Sequence, residues 1–123
     1  MYIEIDFNSD EALYIQLRNQ IILGIAASHF QEGQSLPSVR QLADEIGINM
    51  HTVNKAYSVL RQEGFLKVDR RHGAVIALDT DKIQAKAKMK EEMRVIIAKG
   101  RCKNISREEM HTLMDEIYDS YNG

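Results

Sequence analysis

Apolar residues recur at helical spacing near the start of the chain: Leu13, Leu17, Ile21 and Ile25 form a stripe, with Ile15, Ile22 and Ala26 beside it and no Pro to interrupt it. The pattern predicts one amphipathic helix from Glu11 to Phe30, with Asp10 as its N-cap. After a loop holding Gly33 and Pro37, Ser38 opens a second helix whose inward face is Val39, Leu42, Ala43 and Ile46. Gln41, three residues after Ser38, is the reciprocal partner of a capping box. Gly47 can take positive φ at a helix end, and Asn49 can cap a third helix by accepting from a free amide near Thr52. That helix turns Val53, Ala56, Tyr57 and Leu60 inward, leaves His51, Thr52, Asn54, Lys55, Ser58 and Arg61 partly or wholly outward, and ends at Gly64.

From Phe65 the period changes to two. FLKVD and AVIAL flank the polar turn Arg70-Arg71-His72-Gly73, which predicts a β-hairpin. Beyond Leu78 a helix over Ile83 to Lys99 carries Met89, Met93, Ile96 and Ile97 on one face, and Gly100 closes it. Ser106 and Glu109 form a capping box for a last helix, where Met110, Leu113, Met114, Ile117, Tyr118 and Tyr121 repeat on one side. The expected fold is mainly α with a small β-hairpin: a winged helix-turn-helix domain over residues 1–78, then a two-helix dimerisation tail over 79–123.

Composition narrows the class without changing this plan. The 123 residues are 44% hydrophobic and 28% charged with one Pro, the profile of a soluble, largely helical protein. No apolar run approaches the roughly 20 residues that span a bilayer. The opening MYIEIDFNSDEAL is acidic and lacks the basic and apolar regions of a secretory signal, so a cytoplasmic protein with no membrane partner is expected. The single Cys102 cannot form an intrachain disulfide. With His29, His51, His72 and His111 it lies in separate elements without CxxC or HxxxH spacing, so neither a metal nor another cofactor is expected. Glu91-Glu92 and Glu108-Glu109 are neighbours on helices and read as solvated surface, and neither a Gly-rich phosphate loop nor a nucleophile elbow is present. Catalysis is therefore not expected.

Charge locates the candidate function. The net charge of −2 argues against nonspecific nucleic-acid binding by the whole surface. Residues 1–48 carry 2 Lys/Arg against 7 Asp/Glu, whereas residues 49–73 carry 5 against 2, so the front of the chain is acidic, the third helix and hairpin are basic, and the candidate DNA surface is local. Asn49 and Thr52 suit phosphates or base edges, Asn54 suits a bidentate contact to adenine, and Lys55 and Arg61 suit phosphates. Arg40 sits where the second helix would cross the DNA backbone. Arg70, Arg71, His72 and Gly73 put charge and a bare backbone at the wing tip. Taken singly, the caps and lysines are ordinary surface features; on adjacent elements of one motif they point to DNA.

The stretch LPSVRQLADEIGINMHTVNKAYSVLRQEGFLKV, followed by a basic HG turn, resembles the GntR family of bacterial repressors. The similarity runs from about Leu13, with Tyr14 and Gln16 in the family's opening pattern, to Ile76. The short helical tail resembles the YtrA subfamily, whose members lack a large effector-binding domain and dimerise through the tail. The resemblance implies DNA contacts from Arg40, Asn49, His51, Thr52, Asn54, His72 and Gly73. It also implies regulation of nearby genes, often for ABC-type transporters, usually by repression. Met50 and Asn54 stand where the family often has Arg, and Met50-His51 where many YtrA-like members have Pro-Asn, so the operator sequence does not carry over.

The apolar tail residues could line a ligand pocket or a dimer core. Some 45 residues are too few to enclose a ligand yet carry more apolar face than a monomer exposes, which favours the dimer. The expected partners are double-stranded operator DNA and a second copy of the chain, with no small-molecule effector specified. The alternative is a winged helix that docks a protein partner, but its exposed face would then carry aromatic anchors where this one carries Asn, Thr, Lys and Arg.

Overall fold

The computed structural model describes residues 2–121; residue 1 and residues 122–123, the outer ends of the two expected domains, lie outside the described residues. The chain divides into two compact units, Met1–Asp79 and Thr80–Gly123.

The first unit holds helix α1 (Leu13–Ala26), α2 (Val39–Ile46) and α3 (Met50–Gln62), then strands β1 (Leu66–Asp69) and β2 (Gly73–Ile76). The core forms where α1, α2 and α3 converge on the hairpin: Leu17, Ile21, Leu42, Val53, Leu60 and Ile76 are fully buried. All four residues predicted to face inward from α3 are buried. Gly47 takes φ 72° between α2 and α3, which sets the tight turn of a helix-turn-helix.

Local signals placed several ends differently. α1 starts at Leu13 with Ala12 as its N-cap, and no side chain caps it, so Asp10 does not serve. It stops at Ala26 because Ser28 takes φ 63° and the His29 and Phe30 amides both bond back to the Gly24 carbonyl. The Phe30 ring then lies against Gly24, where a Cβ would come within 2.3 Å of it. Ser38 caps α2 by accepting from the Gln41 amide, the forward half of the expected box. Asn49 caps α3 by accepting from the His51 amide at 2.7 Å, one residue earlier than expected.

Two features had no reading from sequence. Gln16 is buried, its amide donating to the Asp6 and Glu11 carbonyls and accepting from the Asp6 amide; one turn later Gln20 accepts from the Glu4 amide and donates to its carbonyl. The two side chains hold the extended segment before α1, and Ile3 and Ile5 pack on the core. The segment read as the loop before Pro37 pairs with β2: Leu36 donates to the Ala74 carbonyl, Ile76 to that of Gln34, and Gly33 to that of Ile76. β2 is thereby bonded along both sides.

The second unit consists of α4 (Lys82–Cys102) and α5 (Arg107–Ser120). α4 runs three residues past Lys99, so Gly100 lies inside it and does not close it. Gly100 is instead a point of close approach: it is buried, and a Cβ there would lie 3.3 Å from the Met110 sulfur on α5. Asn104, with φ 63°, makes the turn. Ser106 and Glu109 form the full capping box expected, and these bonds from Ser106, its backbone amide first, hold the Glu109 carboxyl below the usual carboxylate range.

Candidate nucleic-acid interface

The outward face of α3 has two flanks. On one, Asn54, Ser58 and Arg61 face the hairpin across a cleft of about 330 Å³ whose other walls include Pro37, Ser38, Val68, His72 and Gly73. On the other, His51, Thr52 and Lys55 meet Leu13 and Tyr14 of α1 in a shallow depression. The Lys55 ammonium sits 4.1 Å from the centroid of the Tyr14 ring, a cation–π contact that limits where this charge can go. Sequence reading assigned Tyr14 no site role, because only the folded packing of α1 on α3 brings the ring to Lys55.

The structure thus brings Asn54, Arg61, His72 and Gly73 to one cleft, and His51, Thr52 and Lys55 to the other side of the same helix. Arg40 is exposed in the first turn of α2, and Arg70 and Arg71 are exposed at the hairpin tip. Asn49 spends one side-chain oxygen on the cap, which leaves its amide NH2 to donate outward. The Tyr57 hydroxyl donates to the Pro37 carbonyl at 2.8 Å, tying α3 to the residue that precedes the α2 cap. Burial, then the Glu45 carboxylate, push the Tyr57 hydroxyl well above the usual tyrosine range, so it stays a donor at any working pH.

The hairpin turn is shaped by a residue the sequence reading passed over. β1 and β2 pair antiparallel from Leu66↔Ile76 to Asp69↔Gly73, which leaves Arg70, Arg71 and His72 as the loop, and Gly73 takes φ 70°. Asp69 accepts from the Arg71 amide at 2.7 Å and its other oxygen lies 3.3 Å from His72 Nδ1. An Asp placed two residues before an amide at a loop start is a local signal that could have been read. The Arg71 amide, then the His72 side chain, hold the Asp69 carboxyl below its ordinary value. Because the folded value is depressed, the contribution is present at neutral pH and is lost as pH falls through that lowered value. The Arg71 amide resonance is expected to titrate with a midpoint below the ordinary Asp value of about 3.9, and Asp69→Ala is expected to abolish that step. A midpoint at or above the ordinary value would contradict the turn described.

On the tail, Met89, Met93, Ile96 and Ile97 of α4, Leu113, Met114, Ile117 and Tyr118 of α5, and Tyr121 at its C-cap are 39–66% exposed, while Met110 is half-buried against Gly100. Ile83 and Val95 are exposed apolar residues as well. Charge is segregated between the two helices: α4 carries seven Lys/Arg against two Glu, and α5 one Arg against five Asp/Glu. Among the described residues, no helix is long and apolar enough to cross a membrane and no group of three or more His, Cys, Asp or Glu could hold a metal ion.

The model of the bacterial regulatory proteins of the gntR family matches residues 10–76, from just before α1 to the end of β2. The HTH-type transcriptional repressor YtrA of Bacillus subtilis is 31% identical over 98% of this chain and 95% of its own length. Among solved structures, a transcriptional antiterminator from Listeria monocytogenes is similar over 100% of this chain and 94% of its own, with a TM-score of 0.87 and 28% identity. YtrA from Sulfolobus acidocaldarius, described as a GntR-family transcription factor, matches over 98% of this chain and 100% of its own, with a TM-score of 0.62 and 35% identity.

Proposed function

The chain belongs to the GntR family of bacterial regulatory proteins and is a YtrA-like, DNA-binding transcription regulator with a winged helix-turn-helix, and on that premise we propose that it represses transcription as a homodimer on a near-palindromic operator. The observation that carries the proposal is the outward face of α3, polar and basic on both flanks, with the wing cleft beside it.

In this reading α3 enters the major groove, with Asn54 facing base edges. Lys55 and Arg61 on either flank neutralise phosphates. Arg40 meets the backbone where α2 crosses it, and Arg70, Arg71, His72 and Gly73 reach flanking phosphates from the wing. The dimer core is the exposed apolar face of α4 and α5. A basic α4 and an acidic α5 are suited to pairing with each other's counterparts in a second copy, which supports the same reading. One winged helix with a handful of contacts binds weakly, whereas two coupled heads multiply their affinities. The bound dimer covers a promoter and excludes polymerase, with transporter genes as the proposed targets.

Selection of binding sites from a random duplex pool at near-physiological salt tests this. Enrichment of an inverted repeat is the expected result. No enrichment by a folded protein would discard DNA recognition in favour of a protein-docking winged helix. On the selected operator, Asn54→Ala is expected to relax base preference at one position per half-site, each lost contact being worth about 1–3 kcal/mol. Lys55→Ala is expected to weaken cognate and random DNA alike and to flatten the salt dependence.

A further inference from the structure

One residue on the outward face of α3 differs in kind from its neighbours. Met50, the first helical residue, is 41% exposed, whereas the rest of that face is polar or charged: His51, Thr52, Asn54, Lys55, Ser58 and Arg61. It adds little to the core, which α3 supplies with Val53, Ala56, Tyr57 and Leu60. Its backbone is nonetheless fixed, because the Asn49 cap holds the amide of the next residue at 2.7 Å. A flexible thioether on a rigid helix start can settle on an irregular apolar partner.

Position decides what that partner is. Met50 precedes Asn54 by four residues, so the two side chains lie about 40° apart around the helix and about 6 Å apart along it. Residues at the N-terminal end of a recognition helix are those that meet base edges. The one apolar group that projects from the base edges into the major groove is the C5-methyl of thymine, set among hydrogen-bond donors and acceptors. A methionine there gains more apolar contact from thymine than from a guanine, cytosine or adenine edge.

We propose that Met50 is a specificity-determining residue that reads a thymine methyl in each half-site, within two base steps of an adenine paired with Asn54. The proposal rests on reading α3 as the recognition helix. It assigns this chain a T and an A preference no more than two base steps apart in place of readout by hydrogen bonds alone.

Replacing each operator thymine in turn by deoxyuridine removes only the methyl and keeps base pairing, which isolates this contact. Burying one methyl is worth about a fourfold gain in affinity, so changing the symmetry-related thymines in both half-sites is expected to weaken binding about fifteenfold. Met50→Ala is expected to bind the thymine and deoxyuridine operators equally, and Met50→Leu to keep the discrimination. Thermal melts of both variants should match the parent, since the side chain is exposed. A deoxyuridine effect that persists in Met50→Ala, or no thymine whose replacement matters, would overturn the proposal while leaving operator binding intact. Failure of the parent protein to bind any duplex would instead overturn the reading of α3, and this one with it.

Discussion

Met93→Glu together with Ile97→Glu is expected to leave this protein monomeric, with operator affinity lower by a factor of about 100 or more. Both residues lie on the exposed stripe of α4, 47% and 39% accessible in the single chain, so neither supplies the interior of either unit. Glu is a good helix former and should preserve α4. What the exchange removes is the apolar face proposed to meet a second copy, and it places two carboxylates in that contact. The winged-helix unit should melt as before, because its core residues all lie within Met1–Asp79. Sedimentation equilibrium and operator titration check the two halves of the expectation separately. A variant that remains dimeric would remove this face from the interface, and a monomer with undiminished operator affinity would show that two-fold binding is not what gives the protein its affinity.

Gly24→Ala is expected to destabilise the first unit, reversing the usual sign of such an exchange. In an open helix interior Ala is preferred to Gly by about 1 kcal/mol. Here the added methyl would come within 2.3 Å of the Phe30 ring, itself buried, and overpacking of this kind costs about 1–3 kcal/mol. The difference is a net loss of up to about 2 kcal/mol, which lowers the melting temperature of a unit this size by up to roughly 8–16 °C. In a Phe30→Val background, with the ring gone, the same Gly24→Ala exchange should become neutral or stabilising. The double-mutant cycle measures that reversal; equal effects in both backgrounds would mean that the ring does not pack on this glycine.

The contrast between these two sites explains how much could be read from sequence. The helix-turn-helix was legible because its determinants are local: Ser38 caps α2, Gly47 turns the chain, Asn49 caps α3, and the inward positions of α3 follow one period. The hairpin was legible from the change of period at Phe65. The end of α1 was not, because its stop is Ser28 at positive φ, a conformation that serine rarely adopts and that here accompanies the bonds to the Gly24 carbonyl and the packing of Phe30 on Gly24. Gly100 was misread for a related reason. A glycine near the end of an apolar pattern resembles a helix stop, whereas here it makes room for Met110 from the next helix.

The candidate site shows the same division. Which residues of α3 face outward followed from the pattern, and the structure distributes them over two flanks of one helix. The partners that restrain them were invisible. Tyr14 beneath Lys55 is contributed by another helix, and the bond from Tyr57 to Pro37 spans twenty residues of chain. Asp69 was the exception, a short-range turn signal contained within four consecutive residues.

The way β2 is bonded on both sides has a further consequence, for behaviour at high concentration. A sheet strand with unpaired amides and carbonyls is a template for another chain, and small sheets are exposed to this hazard. Because residues 33–36 cover the far side of β2, that strand has no open side, and the outer edge of β1 is only four residues long. Lys67 and Asp69 put a cation and an anion on that edge, and its short length offers a docking strand few bonds. The wing can therefore be presented to solvent without stitching neighbouring molecules together.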